Sequence, residues 1–198
     1  MLNLEKNFLK KRILIYGLGK SGLSTYSFLK KSNVISLFDD RIIAKKKIKD
    51  THKTYKEIIK KEFDCIIISP GIDINKCKLS RFLKKNHKKI YTDLDIFYSR
   101  YAFNQKITIT GTNGKSTTAK LLYDILKDQK KDVRLVGNIG NPILLEKKIK
   151  KDTLFVIEAS SYQLEYSKLF KTNISIILNI TPDHLERHKT INKYVSAK

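Results

Sequence analysis

Several things are scarce in this chain of 198 residues, and each scarcity excludes something. Only two cysteines are present, Cys65 and Cys77, too few for a disulfide scaffold. Cys65 sits in the apolar run Cys65-Ile66-Ile67-Ile68, where a buried, reduced thiol is expected. No apolar run approaches the roughly 18–20 residues that cross a bilayer. The stretch from Met1 to Arg12 lacks an apolar core followed by a small-residue cleavage site, so no secretory signal is expected. Neither an internal repeat nor a low-complexity linker interrupts the chain. These absences point to a soluble cytoplasmic chain of one or two domains with no membrane partner.

Acidic residues are also scarce, 19 against 41 Lys plus Arg, for a net charge of +22. Arginine is scarcer still, at 6 of those 41. Arginine is the residue suited to bidentate recognition of phosphates and bases. The excess therefore reads as lysine used by default on the surface, as in chains coded by AT-rich genomes. The lysine runs at 45–47, 88–89, 130–131, 147–148 and 150–151 are expected on solvated faces. Nonspecific, salt-sensitive binding to polyanions would follow, with no specific nucleic-acid partner.

What is present alternates. Short apolar runs give way to longer amphipathic ones, the mark of an α/β fold. Strands are expected at 13–16, 34–38, 65–68, 89–91, 107–109, 133–136, 154–157 and 174–178. Helices are expected at 20–31, 79–85, 93–101, 115–127 and 191–198. In the first helix Leu23, Tyr26 and Leu29 share one side.

Four motifs sit at the ends of these strands. Gly17-Leu18-Gly19-Lys20-Ser21-Gly22 is a G-x-G-x-x-G between a strand and a helix, whose free amides suit an anion. Asp39 follows about twenty residues on, placed to accept from a ribose hydroxyl. The reading is a nucleotide or its diphosphate, or else a purely structural glycine turn. Gly111-Thr112-Asn113-Gly114-Lys115-Ser116-Thr117 is a phosphate loop whose spacing departs from G-x-x-x-x-G-K-[ST], because Ile109 stands five before Gly114. Its mechanics are unchanged: amides cradle phosphates, Lys115 reaches the β/γ-phosphates, and the Ser116 hydroxyl suits Mg²⁺. Glu158 begins Glu158-Ala159-Ser160-Ser161-Tyr162-Gln163-Leu164-Glu165 at a strand end, either as a Mg²⁺ ligand or as a helix N-terminal charge. His184, in Leu178-Asn179-Ile180-Thr181-Pro182-Asp183-His184, is a metal ligand, a proton carrier or a structural residue.

With Gly137-Asn138-Ile139-Gly140-Asn141-Pro142 added, this ordered set resembles the Mur ligase family, the ATP-dependent enzymes that build the peptidoglycan stem peptide. Gly-Lys-Ser-Thr in the loop, Gly17 to Ser24, and Ser69-Pro70-Gly71-Ile72 resemble the member that adds D-glutamate. The resemblance implies a Rossmann-like parallel-sheet domain over 1–93 that binds the UDP substrate, then a connection over 94–105. An incomplete central ATP-binding domain of P-loop type follows over 106–198, and the family's C-terminal domain is absent. It implies ATP-dependent ligation of D-glutamate to UDP-N-acetylmuramoyl-L-alanine through an acyl phosphate, by a monomer. The alternatives are another amino-acid ligase of the family, such as the L-alanine-adding one, or a chain that binds UDP-sugar and ATP without turnover.

Roles follow by resemblance, residue by residue. Gly19, Lys20, Ser21, Asp39, Asp40, Arg41 and Gly71 would meet the UDP moiety. Gly111, Thr112, Asn113, Gly114, Lys115, Ser116 and Thr117 would hold the ATP phosphates. Ser116 and Glu158 would ligate one Mg²⁺. His184 and a carbamylated Lys198 would ligate a second. Asn138 and His184 would face the substrate, and Lys115, Asn138, His184 and Lys198 form the expected catalytic set.

Overall fold

A computed structural model describes residues 7–41, 48, 51, 52 and 54–198. The lysine run at 45–47 and the first six residues of the chain lie outside the described residues. The backbone divides into two units, separated between Arg100 and Tyr101.

The first unit runs β1 (Arg12–Tyr16), α1 (Lys20–Leu29), β2 (Val34–Phe38), α2 (Tyr55–Ile59), β3 (Cys65–Ile68), α3 (Ser80–Lys85), β4 (Ile90–Tyr91) and α4 (Asp93–Arg100). Its four strands form one parallel sheet in the order β2-β1-β3-β4. Ile13, Leu14, Ile15, Ile66, Ile67 and Ile68 are all buried. Parallel strands covered on both faces read as continuous apolar runs, which is why these were visible in the sequence. The chain leaves β1 for β2 on one side and β3 on the other. The switch of direction, where α/β sheets bind ligands, therefore falls at the carboxyl ends of β1 and β3.

Helix α1 packs through small residues as well as apolar ones. Its fully buried residues are Gly22, Ser24, Thr25 and Leu29, while Leu23 and Tyr26 are only half-buried. Small residues face inward because the helix start is pressed against the loop. A Cβ at Gly22 would lie 1.9 Å from the Gly17 carbonyl oxygen.

The second unit runs β5 (Lys106–Thr110), α5 (Lys115–Asp128), β6 (Val133–Gly137), β7 (Leu154–Glu158), α6 (Ser161–Leu164), β8 (Ile174–Ile177), α7 (Leu185–His188) and α8 (Ile191–Ala197). Its sheet is also parallel, ordered β6-β7-β5-β8. Ile109, Ala119, Val133 and Val156 form a core to which Leu122, Leu126 and Leu178 add. Here the switch of direction lies between β5 and β8. Near the opposite end of β5, Lys106 is buried, and its ammonium donates to the carbonyls of Ala102 at 3.2 Å and Asn104 at 2.6 Å. No described helix is long and apolar enough to cross a membrane.

Candidate functional site

Parallel strands send all their carboxyl-end loops to one edge of the sheet, and the motif residues collect there in each unit. In the first unit α1 starts at Gly19, which offers no side-chain cap. The first amides of a helix have no intrahelical acceptor, so this start is open to an anion. Gly19 and Lys20 are exposed, and a Cβ at Gly19 would meet nothing within 4 Å. Among the described residues nothing demands glycine there, in contrast to Gly22.

The acidic residues after β2 are occupied. Asp39 accepts the Leu18 amide at 2.6 Å and the Arg41 amide at 2.9 Å, one on each carboxylate oxygen. Asp40 accepts the Tyr16 hydroxyl at 2.5 Å and the Lys78 amide at 3.3 Å. Burial, then Asp40 and Cys77, push the Tyr16 phenol far above its ordinary range. Arg41 is exposed, and a Cβ at Gly71 would meet nothing within 4 Å. Ser21 does not face solvent alone: its hydroxyl donates to Asp93, the first residue of α4. An open cavity between the C-terminal ends of α1 and α4, walled by Phe8, Phe28, Leu29 and Ile96, contains none of the motif residues.

In the second unit the loop after β5 enters α5 through Gly114, whose φ of 81° is the left-handed conformation that glycine adopts freely. No side chain caps α5 either. Elsewhere the chain does supply caps, Ser160 on α6 and Thr190 on α8. The short helices α2, α3 and α7 also lack a side-chain cap, so what sets α1 and α5 apart is an open start that directly follows a glycine motif.

The phosphate loop is fastened to the segment after β8. Thr112 donates its amide to the Asn179 carbonyl at 3.0 Å, and its hydroxyl oxygen accepts the Thr181 amide at 3.0 Å. That oxygen also lies 3.0 Å from the Tyr194 hydroxyl of α8. The Asn179 side chain brackets Asn113, accepting its amide at 2.9 Å and donating to its carbonyl at 3.1 Å. Lys115 donates to the carbonyls of Gly111 at 2.8 Å and Thr112 at 2.7 Å. Lys198 donates to the same Gly111 carbonyl at 2.8 Å, with its ammonium over the Tyr194 ring. Burial first, and the Lys115 charge second, lower the Lys198 pKa to about 8.

A second cluster surrounds Glu158, which is buried at the end of β7. Its Oε2 accepts the Ser116 hydroxyl at 2.9 Å and its Oε1 accepts the Asn138 amide group at 3.0 Å. Residues from the ends of β6 and β7 and the start of α5 thus meet on one carboxylate. A hydroxyl and a carboxylate at this spacing are the hard oxygen donors that suit Mg²⁺.

His184 joins neither cluster by a direct hydrogen bond among the described residues. Its ring pairs with Asp183 at 3.4 Å and Glu186 at 3.7 Å and rests against Tyr162, with centroids 4.7 Å apart. Among the described residues no three or more His, Cys, Asp or Glu gather as a metal site. His188, buried on Ser161 Oγ at 3.0 Å, is held below the ordinary histidine range by that burial. Sequence reasoning assigned no role to Asn179, Thr181, Tyr194 or Asp93. Asn179 and Thr181 lie inside a run that carried the family resemblance, while no spacing signal marks Tyr194 or Asp93.

Comparison with known proteins agrees with this layout. The model of the Mur ligase middle domain matches residues 109–198, and that of the Mur ligase MurD-like N-terminal domain matches residues 11–90. A UDP-N-acetylmuramoylalanine–D-glutamate ligase of Caldicellulosiruptor bescii is 38% identical over 95% of this chain and 44% of its own length. Ligases of the same name from Rickettsia bellii and Wolbachia pipientis are both 37% identical, over 96% and 100% of this chain. They are covered over 42% and 39% of their own lengths, so the chain spans about two fifths of these relatives. A solved structure of UDP-N-acetylmuramate:L-alanyl-gamma-D-glutamyl-meso-diaminopimelate ligase from Neisseria meningitides has the same fold. It superposes with a TM-score of 0.59 at 14% identity, over 95% of this chain and 66% of that one.

Proposed function

Because the chain belongs to the Mur ligase family, we propose that it carries the nucleotide-binding front of an ATP-dependent ligase. That ligase adds D-glutamate to UDP-N-acetylmuramoyl-L-alanine in peptidoglycan precursor synthesis. Residues 1–93 bind the UDP part, 94–105 connect, and 106–198 hold the ATP phosphates. Such an enzyme works as a monomer in the cytoplasm, where its nucleotide substrates are made.

The reaction brings two anions together. The substrate carboxylate attacks the γ-phosphorus of ATP, releasing ADP and leaving an acyl phosphate. The D-glutamate amine then attacks the acyl carbon, and phosphate departs. Little covalent help is required, so the protein's task is to hold and neutralise charge. The α5 amides and Lys115 do this at the phosphates. Ser116 and Glu158 would hold a Mg²⁺ ion, which supplies further positive charge there. A second ion would need Lys198 as a carbamate, because an ammonium repels a metal, with His184 as its partner. Asn138 fixes the Glu158 carboxylate.

The observation that supports this reading most directly is the meeting of Lys115 and Lys198 on the Gly111 carbonyl, in a loop whose following helix is uncapped. Calorimetric titration of the chain with UDP-N-acetylmuramoyl-L-alanine, against UDP-N-acetylglucosamine as control, tests it. Saturable binding with preference for the muramoyl substrate is expected. Equal binding of both sugars points instead to a UDP-sugar binder without pathway specificity. No binding by a folded chain removes the assignment of the first unit.

A further inference from the structure

Two buried side-chain polar atoms have no hydrogen-bond partner among the described residues, Thr25 Oγ1 and Asp93 Oδ1. The second belongs to a carboxyl that adjoins the open start of α1. Asp93 is 4% exposed, and its other oxygen accepts the Ser21 hydroxyl. Among the described residues no lysine, arginine or histidine pairs with it. From α1 it faces Ser21, while Lys20 beside that serine is exposed to solvent. Along α4 the Leu94 amide favours its ionised form and Asp95 opposes it. Burial outweighs all of these and pushes the Asp93 carboxyl up.

Ser21 has one hydroxyl proton to give. Donated to Asp93, that proton leaves Ser21 offering only lone pairs at the helix start. An anionic ligand needs a donor there. A proton taken from solvent onto Asp93 reverses the pair: the carboxylic acid donates to Ser21 Oγ, and the serine proton turns to the ligand. We propose that a nucleoside diphosphate docking on the α1 start draws one proton onto Asp93, which sets the Ser21 hydroxyl as a donor to that diphosphate. Asp93 is thus a positioning residue acting through Ser21. The inference rests on the reading of this helix start as the site for the UDP moiety.

Binding then takes up a proton, and affinity falls as pH rises. The fall reaches about tenfold per pH unit between the carboxyl's free and ligand-bound ionisation midpoints. The diphosphate of a nucleotide sugar is fully ionised throughout, so the uptake is the protein's. The experiment titrates UDP-N-acetylmuramoyl-L-alanine into the 198-residue chain, in pairs of buffers that differ in ionisation heat. It runs from about pH 6 to about pH 9. Proton uptake of up to one per ligand and the affinity slope are expected in wild type.

Asp93→Asn keeps a donor facing Ser21 Oγ, as the neutral acid would. It should bind within about threefold of the wild-type optimum, with no uptake and a flat pH profile. A carboxyl with a purely structural role would shift affinity equally at every pH and leave any uptake in place. Ser21→Ala, which cuts the link without touching the buried carboxyl, should also abolish the uptake and serves if Asp93→Asn fails to fold. Binding without uptake in wild type, or uptake that survives both substitutions, overturns the inference and leaves the UDP site standing. No binding at all overturns both.

Discussion

Lys115 and Lys198, which begin one helix and follow another, donate to a single acceptor, the Gly111 carbonyl, at 2.8 Å each. Two like charges brought to one oxygen repel, and a protein tolerates that where a third party of opposite charge is to be handled. The ATP phosphates of the proposed reaction are such a party. The repulsion also makes Lys198 easier to deprotonate than an ordinary lysine, which gives it chemistry that Lys115 does not need.

The three glycines of the first motif are not equivalent. A Cβ at Gly22 would be 1.9 Å from the Gly17 carbonyl oxygen, whereas one at Gly19 would meet nothing within 4 Å. Gly22→Ala should therefore destabilise the first unit by about 3 kcal/mol or more, since backbone cannot yield as a side chain can. Gly19→Ala should unfold like wild type and bind UDP-N-acetylmuramoyl-L-alanine at least about tenfold more weakly, because only a ligand approaching the backbone needs that space. Thermal unfolding and calorimetry separate the two. Loss of stability in Gly19→Ala would sink this division of roles.

Glu158 receives Ser116 on one oxygen and Asn138 on the other, and it is buried. Glu158→Ala removes both acceptors at once and should cost about 1–3 kcal/mol of stability. It should also abolish the effect of Mg²⁺ on ATP binding. Chelating the metal should weaken ATP binding to wild type and leave Glu158→Ala unchanged. An equal Mg²⁺ effect in both proteins would place the ion elsewhere.

Much of the architecture was legible in the sequence, for a physical reason. Buried parallel strands such as Ile13 to Tyr16 and Cys65 to Ile68 must be apolar throughout, and the glycines that let the chain turn mark their ends. Helices of four or five residues were not legible. Tyr55–Ile59, Ser161–Leu164 and Leu185–His188 are too short for a 3.6-residue period to register. The inward face of α1 was not legible because close packing there selects small residues, Gly22, Ser24 and Thr25, over apolar ones. The motif loops could be placed, but their wiring could not. Lys198 reaches Gly111 across 87 residues and Ser21 reaches Asp93 across 72, and no local pattern encodes such pairs.

Lys106 offers a pH test of stability independent of the site. Burial lowers its pKa to about 8, against 10.5 ordinarily. Between these values the unfolded chain binds more protons than the folded one, so wild-type stability from this group rises with pH. The contribution is lost below about 8 and complete above about 10.5. Lys106→Met cannot follow that rise. The melting-temperature difference between the two proteins should therefore widen in favour of wild type from about pH 7 to about pH 9.5. A constant difference would mean that Lys106 keeps an ordinary pKa in the fold.

Lys198 returns the matter to chemistry. A carbamate forms only from a neutral amine: the nitrogen bonds to the carbon of CO₂, and one proton leaves for solvent. With a pKa of about 8, Lys198 is neutral in a useful fraction near physiological pH. Burial is the larger cause and the Lys115 charge the next. Removing that charge in Lys115→Met should raise the Lys198 pKa and move carbamate formation to higher pH. Carbon-13 NMR of the chain in labelled bicarbonate should show a carbamate resonance in wild type that is absent in Lys198→Arg. In Lys115→Met it should appear only at more alkaline pH. If wild type and Lys198→Arg give the same spectrum, Lys198 is a plain cation. The second metal position of the proposed reaction then loses its anionic ligand.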